Sequence, residues 1–331
     1  MKKTVSKIFL LLSGILVVLT IILSLINTFY SDYYFKIKHD FANPNSEFIE
    51  NKKSDTSILL LSDSGSNNLI LKKVLQQALT SQKYDFIMYL GDFVQTGSVT
   101  EFYWMLNDIK PVLKETPFYT IPGNHDIKRK IGKIKIKDKS FYETIMESRY
   151  YWFGYGDTLF ITLDSSDETL DKKQLEWLDT TLKKIRPMFQ NCIILSHVPP
   201  VNSKINHIMT FETAKKFKQI IKNYKINAMF FGHVHFFSHE IFANIPCYTS
   251  PSSGQSARFQ TYGYLNVDIN KNGIIKVEPK YVEVTGKRRE FIKEWFISEI
   301  LSVKCRVIIL SLLRLSLISL IIALIARKYH K

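Results

Sequence analysis

Five short segments of this chain, each at the end of an apolar run, carry carboxylate, amide and imidazole side chains. They are Ser62-Asp63-Ser64-Gly65, Gly91-Asp92, Gly123-Asn124-His125-Asp126, Ser196-His197 and Gly232-His233-Val234-His235. The runs that precede them are Ile58-Leu59-Leu60-Leu61, Phe86-Ile87-Met88-Tyr89-Leu90, Phe118-Tyr119-Thr120-Ile121, Ile193-Ile194-Leu195 and Met229-Phe230-Phe231. Short uncharged runs of this kind predict buried strands. Side chains just past the carboxyl ends of neighbouring strands converge on one crevice. Such a chain must therefore build a sheet whose strand ends share a polar pocket.

The residue types suit cations. Two divalent ions roughly 3.5–4 Å apart clamp the attacking and leaving oxygens of an in-line displacement and make hydroxide available near neutral pH. A carboxylate can bridge two ions, a role assigned to Asp92. Asp63 would bind the first ion, and Asn124 would give a neutral amide oxygen to the second. His197, His233 and His235 would be imidazole ligands, which suit Zn, Fe or Mn. His125 follows Asn124 directly, so its side chain leaves in another direction. It reads as the positioned acid, protonating a leaving group or holding a phosphoryl oxygen.

These motifs resemble those of the calcineurin-like metallophosphoesterases, which run Asp-x-His, Gly-Asp, Gly-Asn-His-Asp or -Glu, a later His, and Gly-His-x-His. The resemblance covers roughly residues 57 to 270. Gln174-Leu175-Glu176-Trp177-Leu178, downstream of Leu163-Asp164-Ser165, adds to it. It implies a metal-dependent phosphoesterase built as a four-layer α-β-β-α sandwich of two mixed sheets.

One position departs from the pattern. The family places a metal-binding His two residues after the first Asp, where this chain has Gly65. The purple acid phosphatase branch also has Gly there and compensates with a Tyr three residues after the bridging Asp, where this chain has Gln95. The first ion is then left with Asp63, Asp92 and His235 plus water. The expectations are a water in the gap or a weak first site, with Gly65→His tightening it.

Both ends of the chain are apolar. Ile8 to Ile26 is an uncharged stretch long enough to span a bilayer, preceded by Lys2, Lys3 and Lys7. It runs into Asn27-Thr28-Phe29-Tyr30 without a small-x-small cleavage site, so an uncleaved anchor is expected. Phe29, Tyr30, Tyr33 and Tyr34 would form an aromatic belt. Val307 to Ala326 is interrupted only by Arg314 and ends in Arg327-Lys328. A mid-helix arginine costs about 2.5–3.5 kcal/mol on insertion scales and is tolerated. Basic residues at both ends place both termini in the cytoplasm and the catalytic domain outside, although Lys287-Arg288-Arg289, Lys293, Lys304 and Arg306 pull the other way.

Between the ends, strand runs alternate with amphipathic helices. Leu71, Val74, Leu75 and Ala78 share one face, as do Phe102, Met105, Leu106 and Ile109, in a helix closed by Pro111. Leu175, Leu178, Leu182 and Ile185 form a third stripe, stopped by Pro187; Ala214, Phe217, Ile220, Ile221 and Tyr224 form a fourth. Alternation followed by a strand-rich end is α/β, two stacked sheets flanked by helices. The expected division is an anchor over 1–29, a linker over 30–56, a catalytic domain over 57–286, a basic amphipathic juxtamembrane segment over 287–306, a second transmembrane helix over 307–326 and a basic tail over 327–331.

The net charge of +15 suits a phosphate-bearing partner or a membrane surface. No nucleic-acid motif accompanies it, and charge alone is poor evidence for nucleic-acid binding. The basic stretch Lys128-Arg129-Lys130, Lys133, Lys135, Lys137 and Lys139 follows the Gly-Asn-His-Asp turn and would stand near the crevice mouth. Cys192 and Cys247 sit in strand-like runs and read as small buried hydrophobes, although an exported domain could pair them. Ser250-Pro251-Ser252-Ser253-Gly254 is a turn whose hydroxyls would reach the site. The expected substrate is a phosphorylated small molecule or lipid, with a soluble nucleotide, cyclic ones included, as the alternative that would make the chain a nucleotide phosphodiesterase; two divalent ions are the cofactors and the lipid bilayer the partner. Oligomeric state is open. The reading from another class is a non-catalytic membrane scaffold that keeps the fold and one metal.

Overall fold

The computed structural model describes residues 2–35, 41, 43–44, 47–49, 55–127, 130–131, 134–135, 141–206, 208–255, 261–270, 272–273, 275–284, 288–301 and 303–328. In chain order its first elements are α1 (Lys2–Phe35), β1 (Glu47–Ile49), β2 (Thr56–Leu61), α2 (Asn68–Ser81), β3 (Phe86–Tyr89), α3 (Val99–Leu113) and β4 (Phe118–Thr120). A small hairpin, β5 (Lys130–Ile131) and β6 (Ile134–Lys135), leads to α4 (Tyr142–Met146), β7 (Trp152–Tyr155), β8 (Thr158–Thr162) and α5 (Lys172–Lys184). Then come β9 (Asn191–Leu195), α6 (Phe211–Ile221), β10 (Ala228–Phe231), β11 (Ser238–Phe242), β12 (Ile245–Thr249), β13 (Tyr262–Ile269), β14 (Ile275–Val282), α7 (Arg288–Leu301) and α8 (Val303–Lys328).

The strands form two mixed sheets. One has the order β14-β13-β2-β3-β4, with β2, β3 and β4 parallel and β13 antiparallel to its two neighbours. The other has the order β1-β7-β8-β9-β10-β12-β11, with β8, β9, β10 and β12 parallel. The period of two along each strand explains why the runs are apolar throughout. Ile58, Leu60, Phe86 and Met88 face Phe160, Ile193, Leu195 and Phe230 across the space between the sheets. Leu59, Leu61, Ile87 and Tyr89 face the stripes of α2 and α3 on the opposite side. Ile194, Met229 and Phe231 likewise meet Leu178 and Leu182 of α5 and Phe217 and Ile221 of α6. A strand buried on both faces has no polar side to show. The chain thus folds as the expected α-β-β-α sandwich. Its middle is aromatic: the Phe86 ring lies edge-on, 5.3 Å from Phe160, which stacks on Phe153 at 4.9 Å.

Two local outcomes differ from the sequence expectation. Helix α3 continues through Pro111 to Leu113; in the last turn a proline forfeits a single intrahelical bond and need not end the helix. Tyr224 lies beyond the end of α6 at Ile221. The basic stretch after the Gly-Asn-His-Asp turn is described only at β5 and β6, and its remaining lysines and arginine fall outside the described residues. Cys192 and Cys247 are buried free thiols, and burial pushes both up to about 12.

The chain carries two helices long and apolar enough to cross a membrane, Lys7–Phe29 within α1 and Val307–Ile325 within α8. They pack against each other through a seam of small polar residues. Ser13 Oγ donates to the Ser316 carbonyl at 3.2 Å and Ser319 Oγ to the Phe9 carbonyl at 2.7 Å, while Asn27 Nδ2 joins α1 to α7 through the Ile300 carbonyl at 2.7 Å. Such groups let apolar helices approach closely. The pairing is antiparallel, so Lys2 and Lys328 lie at the same end. Arg314 is on the exposed side of α8.

Helix α7 is not a surface appendage alone. Ile297 and Leu301 are buried in the core layer of α2 and α3, while Ile292, Trp295 and Phe296 are exposed. Ser98 Oγ and Thr100 Oγ1, at the start of α3, both donate to the Leu301 carbonyl at 2.9 Å.

Candidate metal centre

Each predicted site residue stands immediately past the carboxyl end of a strand. Asp63 follows β2, Asp92 follows β3, Asn124 and His125 follow β4, His197 follows β9, and His233 and His235 follow β10. The five-stranded sheet supplies the carboxylates and the amide; the seven-stranded sheet supplies the three imidazoles. Asp63, Asp92, His233 and His235 have φ of +57°, +56°, +69° and +63°. A non-glycine residue in this left-handed region costs about 1–3 kcal/mol and persists where the surroundings over-determine it.

Those surroundings are hydrogen bonds among the strand-end turns. The Asp63 amide donates to the Gly91 carbonyl at 3.0 Å, and the Gly232 amide donates to the His197 carbonyl at 3.0 Å. Asp126, fully buried, accepts from the Val94 amide and the Gly123 amide at 2.9 Å each, tying the Asp92 loop to the Asn124 loop. Burial, with the charge of Asp92, pushes the Asp126 carboxyl up to about 7. Gly123 is required at its position, because a Cβ there would lie 2.2 Å from the Asp92 amide nitrogen and 2.3 Å from Asp92 Oδ1.

On one side of the centre, Asn124 Oδ1 lies 3.1 Å from His197 Nε2 and 3.1 Å from His233 Nδ1, and the two ring nitrogens are 3.3 Å apart. Asp92 Oδ2 is 3.5 Å from His197 Nε2. His197 Nδ1 stands 2.7 Å from the Leu90 carbonyl, to which it donates. That contact presents the Nε2 lone pair to the pocket, the way a metal-binding imidazole is oriented. One ligand atom from each of Asp92, His197 and His233 falls within 4.8 Å of the others. Lone pairs facing one another at these distances call for a positive centre.

On the other side, Asp63 Oδ1 is 3.3 Å from His235 Nε2, and the His233 amide donates to Asp63 Oδ2 at 3.0 Å. Asp63 Oδ1 is fully buried and has the His235 ring nitrogen as its ion-pair partner; a carboxylate and an imidazole placed together in this way form a donor set suited to a divalent cation. His125 stands apart: its amide donates to Asp92 Oδ1 at 2.7 Å, its Nδ1 is 3.0 Å from the Gln95 carbonyl, and its Nε2 is 3.9 Å from Asp92 Oδ2.

The charges agree with the geometry. Burial resists ionisation of Asp63, but His235 and His197 outweigh it and hold the carboxyl below its ordinary value. Asp92 is likewise buried and is held well below the usual carboxylate range by His197 and His125. Burial would lower His197, yet Asp92 pushes it up to about 9. The pocket is thus negative enough to retain a proton where no other cation is present.

The profile of the calcineurin-like phosphoesterase family matches residues 56–237, and the chain belongs to that family. A 137-residue stretch is 27% identical to purple acid phosphatase 23 of Arabidopsis thaliana, covering 38% of this chain and 30% of that protein. A probable glycerophosphodiester phosphodiesterase of Arcobacter nitrofigilis is 26% identical over 60% of this chain and 76% of its own length. A probable cyclic nucleotide phosphodiesterase of Vesicomyosocius okutanii is 24% identical over 51% of this chain and 70% of its own length. Among solved structures, the purple acid phosphatase of yellow lupin seeds superposes with a TM-score of 0.56 at 13% identity, covering 73% of this chain and 55% of that one. A dimetal phosphatase from Danio rerio gives 0.51 at 12% identity, covering 69% and 97%. At such identities the structures establish the shared fold. The fold is that of a dimetal phosphoesterase and accords with divalent cations.

The hydroxyl-bearing turn over 250–254 lies at the site as the sequence suggested, and Gln255 beside it is the contributor that sequence reasoning left unread. Ser252 Oγ donates to the Asp63 carbonyl at 2.8 Å and Ser253 Oγ to the Ser62 carbonyl, so the turn after β12 braces the Asp63 turn. Gln255, at the end of that turn, occupies the volume beside Gly65 in which a water was expected. The hydroxyl-rich composition of 250–254 was the only signal for this loop, and it does not extend to Gln255.

Proposed function

We propose that this chain is a membrane-held, metal-dependent phosphoesterase, with Asp63, Asp92, Asn124, His197, His233 and His235 as ligands of two divalent ions and Asp92 shared between them. The observation that carries the reading is the convergence of His197 Nε2, His233 Nδ1, Asn124 Oδ1 and Asp92 Oδ2 on one point, with the buried Asp63 carboxylate facing His235 Nε2 beside it. Divalent ions at these positions supply electrophilic stabilisation of a phosphoryl group and a nucleophile near neutral pH. The protein residues orient and move protons. Leu90 fixes the His197 ring, and Asp126 holds the two loops that carry Asp92 and Asn124. His125, steered by the Gln95 carbonyl, presents Nε2 toward the centre and hands its proton to the departing oxygen.

The relatives named above as phosphatase and phosphodiesterases support a phosphorylated small molecule or headgroup as substrate. A substrate at the bilayer surface is favoured by the route from Asp92 to the membrane. Ser98, six positions after Asp92 in the chain, bonds Leu301, and the apolar span of α8 begins at Val307. In this reading both termini face the cytoplasm and the sandwich lies outside, following the basic flanks and the antiparallel helix pair. The test is hydrolysis of bis-p-nitrophenyl phosphate and p-nitrophenyl phosphate by the full chain in detergent with added Mn²⁺. Asn124→Ala and His125→Ala should each fall roughly 100-fold or more below the parent. A parent no faster than both variants refutes the enzyme. Lipid preference is read by comparing a glycerophosphodiester with its diacyl counterpart in mixed micelles.

A further inference from the structure

We infer that Gln255 supplies an oxygen donor to the Asp63–His235 side of the centre, in the place where the family pattern has an imidazole two residues after the first Asp. The inference rests on the metal-dependent reading above. Gly65, Gln95 and Gln255 meet at one point. Gly65 has φ +51°, and a Cβ built on it would lie 2.3 Å from Gln255 Cγ, 2.4 Å from Nε2 and 2.7 Å from Cδ. The Gln255 side chain therefore fills the space that the first carbon of a side chain at 65 would take. Its Nε2 donates to Gln95 Oε1 at 3.0 Å, which engages Gln95, the third residue after Asp92. With the NH₂ committed to Gln95, the carboxamide oxygen is the end that accepts.

The backbone of Gln255 is fastened to that of Asp63. Its amide donates to the Asp63 carbonyl at 2.7 Å, and Ser252 Oγ bonds both the Asp63 and Gln255 carbonyls at 2.8 Å. Gln255 thus travels with the ligand it assists. The result is an asymmetric centre. The Asp63 side offers the oxygens of Asp63, Asp92 and Gln255 with one imidazole. The Asn124 side offers two oxygens and the imidazoles of His197 and His233. Oxygen-rich sets suit Mg and Mn, whereas imidazole suits Zn and Fe, so the two positions differ in metal preference. The expectation that Gly65→His tightens the first site is revised as well, because the new side chain would collide with Gln255 on left-handed backbone.

The experiment is calorimetric titration of Mn²⁺ into the metal-stripped full chain in detergent, with Mn²⁺ paramagnetic resonance as a second readout. The parent should bind two ions with distinct affinities. Gln255→Leu, which keeps the bulk and removes the carboxamide, and Gln255→Ala should each weaken one class by about tenfold or more and leave the other unchanged. Gln255→Glu should tighten that same class. Unchanged affinities in the Leu variant, or equal losses at both classes, overturn the assignment. A single Mn²⁺ per parent chain also overturns it while leaving the metal-dependent reading standing on Asn124, His197 and His233; no Mn²⁺ at all would remove both.

Discussion

The two sides of the centre are built by different means. Around Asn124, donors are fixed by the chain itself: His197 is fully buried and locked by the Leu90 carbonyl, and Asn124 follows a turn pinned by Asp126. Around Asp63, the partners are longer and more exposed. The His235 side chain is 24% exposed, and beside Gly65 the long side chains of Gln255 and Gln95 bond each other. Rigid backbone-fixed ligands lose little entropy on binding, whereas mobile side chains must be ordered first. The Asn124 side, whose His197 ring is locked by the backbone, should therefore hold its ion tightly and the Asp63 side should exchange.

That contrast can be broken experimentally. The largest effect belongs to the fixed side: His197→Ala should abolish the tighter Mn²⁺ class and lower phosphodiester turnover roughly 100-fold or more. His235→Ala should instead weaken only the looser class, by about tenfold, as read by titration. Equal effects from the two variants would erase the distinction.

Glu101 tests how far the scaffold beneath the exchangeable side matters. It is fully buried and accepts from the Thr96 and Ser98 amides and from the hydroxyls of Ser66 and Thr96. Ser66 Oγ in turn accepts from the Gln95 amide. Glu101→Ala should cost about 3 kcal/mol or more in denaturant unfolding, because several donors lose their acceptor; Glu101→Gln should cost less. Burial raises the Glu101 carboxyl above its ordinary 4.5, against the donors from Thr96 and Ser98. The folded state then holds this proton more tightly than the unfolded chain. Glu101 contributes stability below pH 4.5 that is lost as pH rises through the folded value. In the metal-free protein, Glu101→Gln should flatten that decline in unfolding free energy. The smallest change is expected at the helix pair, where Ser13→Ala should weaken association of the two helices by roughly 0.6 kcal/mol, measured by denaturation in micelles.

The strand ends were legible because chemistry and hydrophobicity change together there. Leu59-Leu60-Leu61 gives way to Asp63, and Met229-Phe230-Phe231 to His233, within two residues. The amphipathic stripes of α2 and α5 were equally plain, since packing on a sheet demands them. Contacts made across long stretches of chain were not legible. Gln255 meets Gly65 from a turn with no motif of its own, and Glu101 looks in sequence like an ordinary acid in the first turn of α3. The burial of Ile297 and Leu301 was hidden among exposed aromatic and basic neighbours.

The bond from Ser98 and Thr100 to Leu301 bears on how a detergent-free version of this protein can be prepared. Trimming the chain ahead of Arg288 would strip Ile297 and Leu301 from the layer over α2 and α3 and take the Leu301 carbonyl away from the Ser98 and Thr100 hydroxyls. A cut placed after Leu301 keeps that plug while discarding the second apolar helix, and the first, Lys7–Phe29, must be removed from the other end. The sandwich and its last amphipathic helix are one unit for expression, and the boundary a cloning strategy should respect lies between Leu301 and Val307.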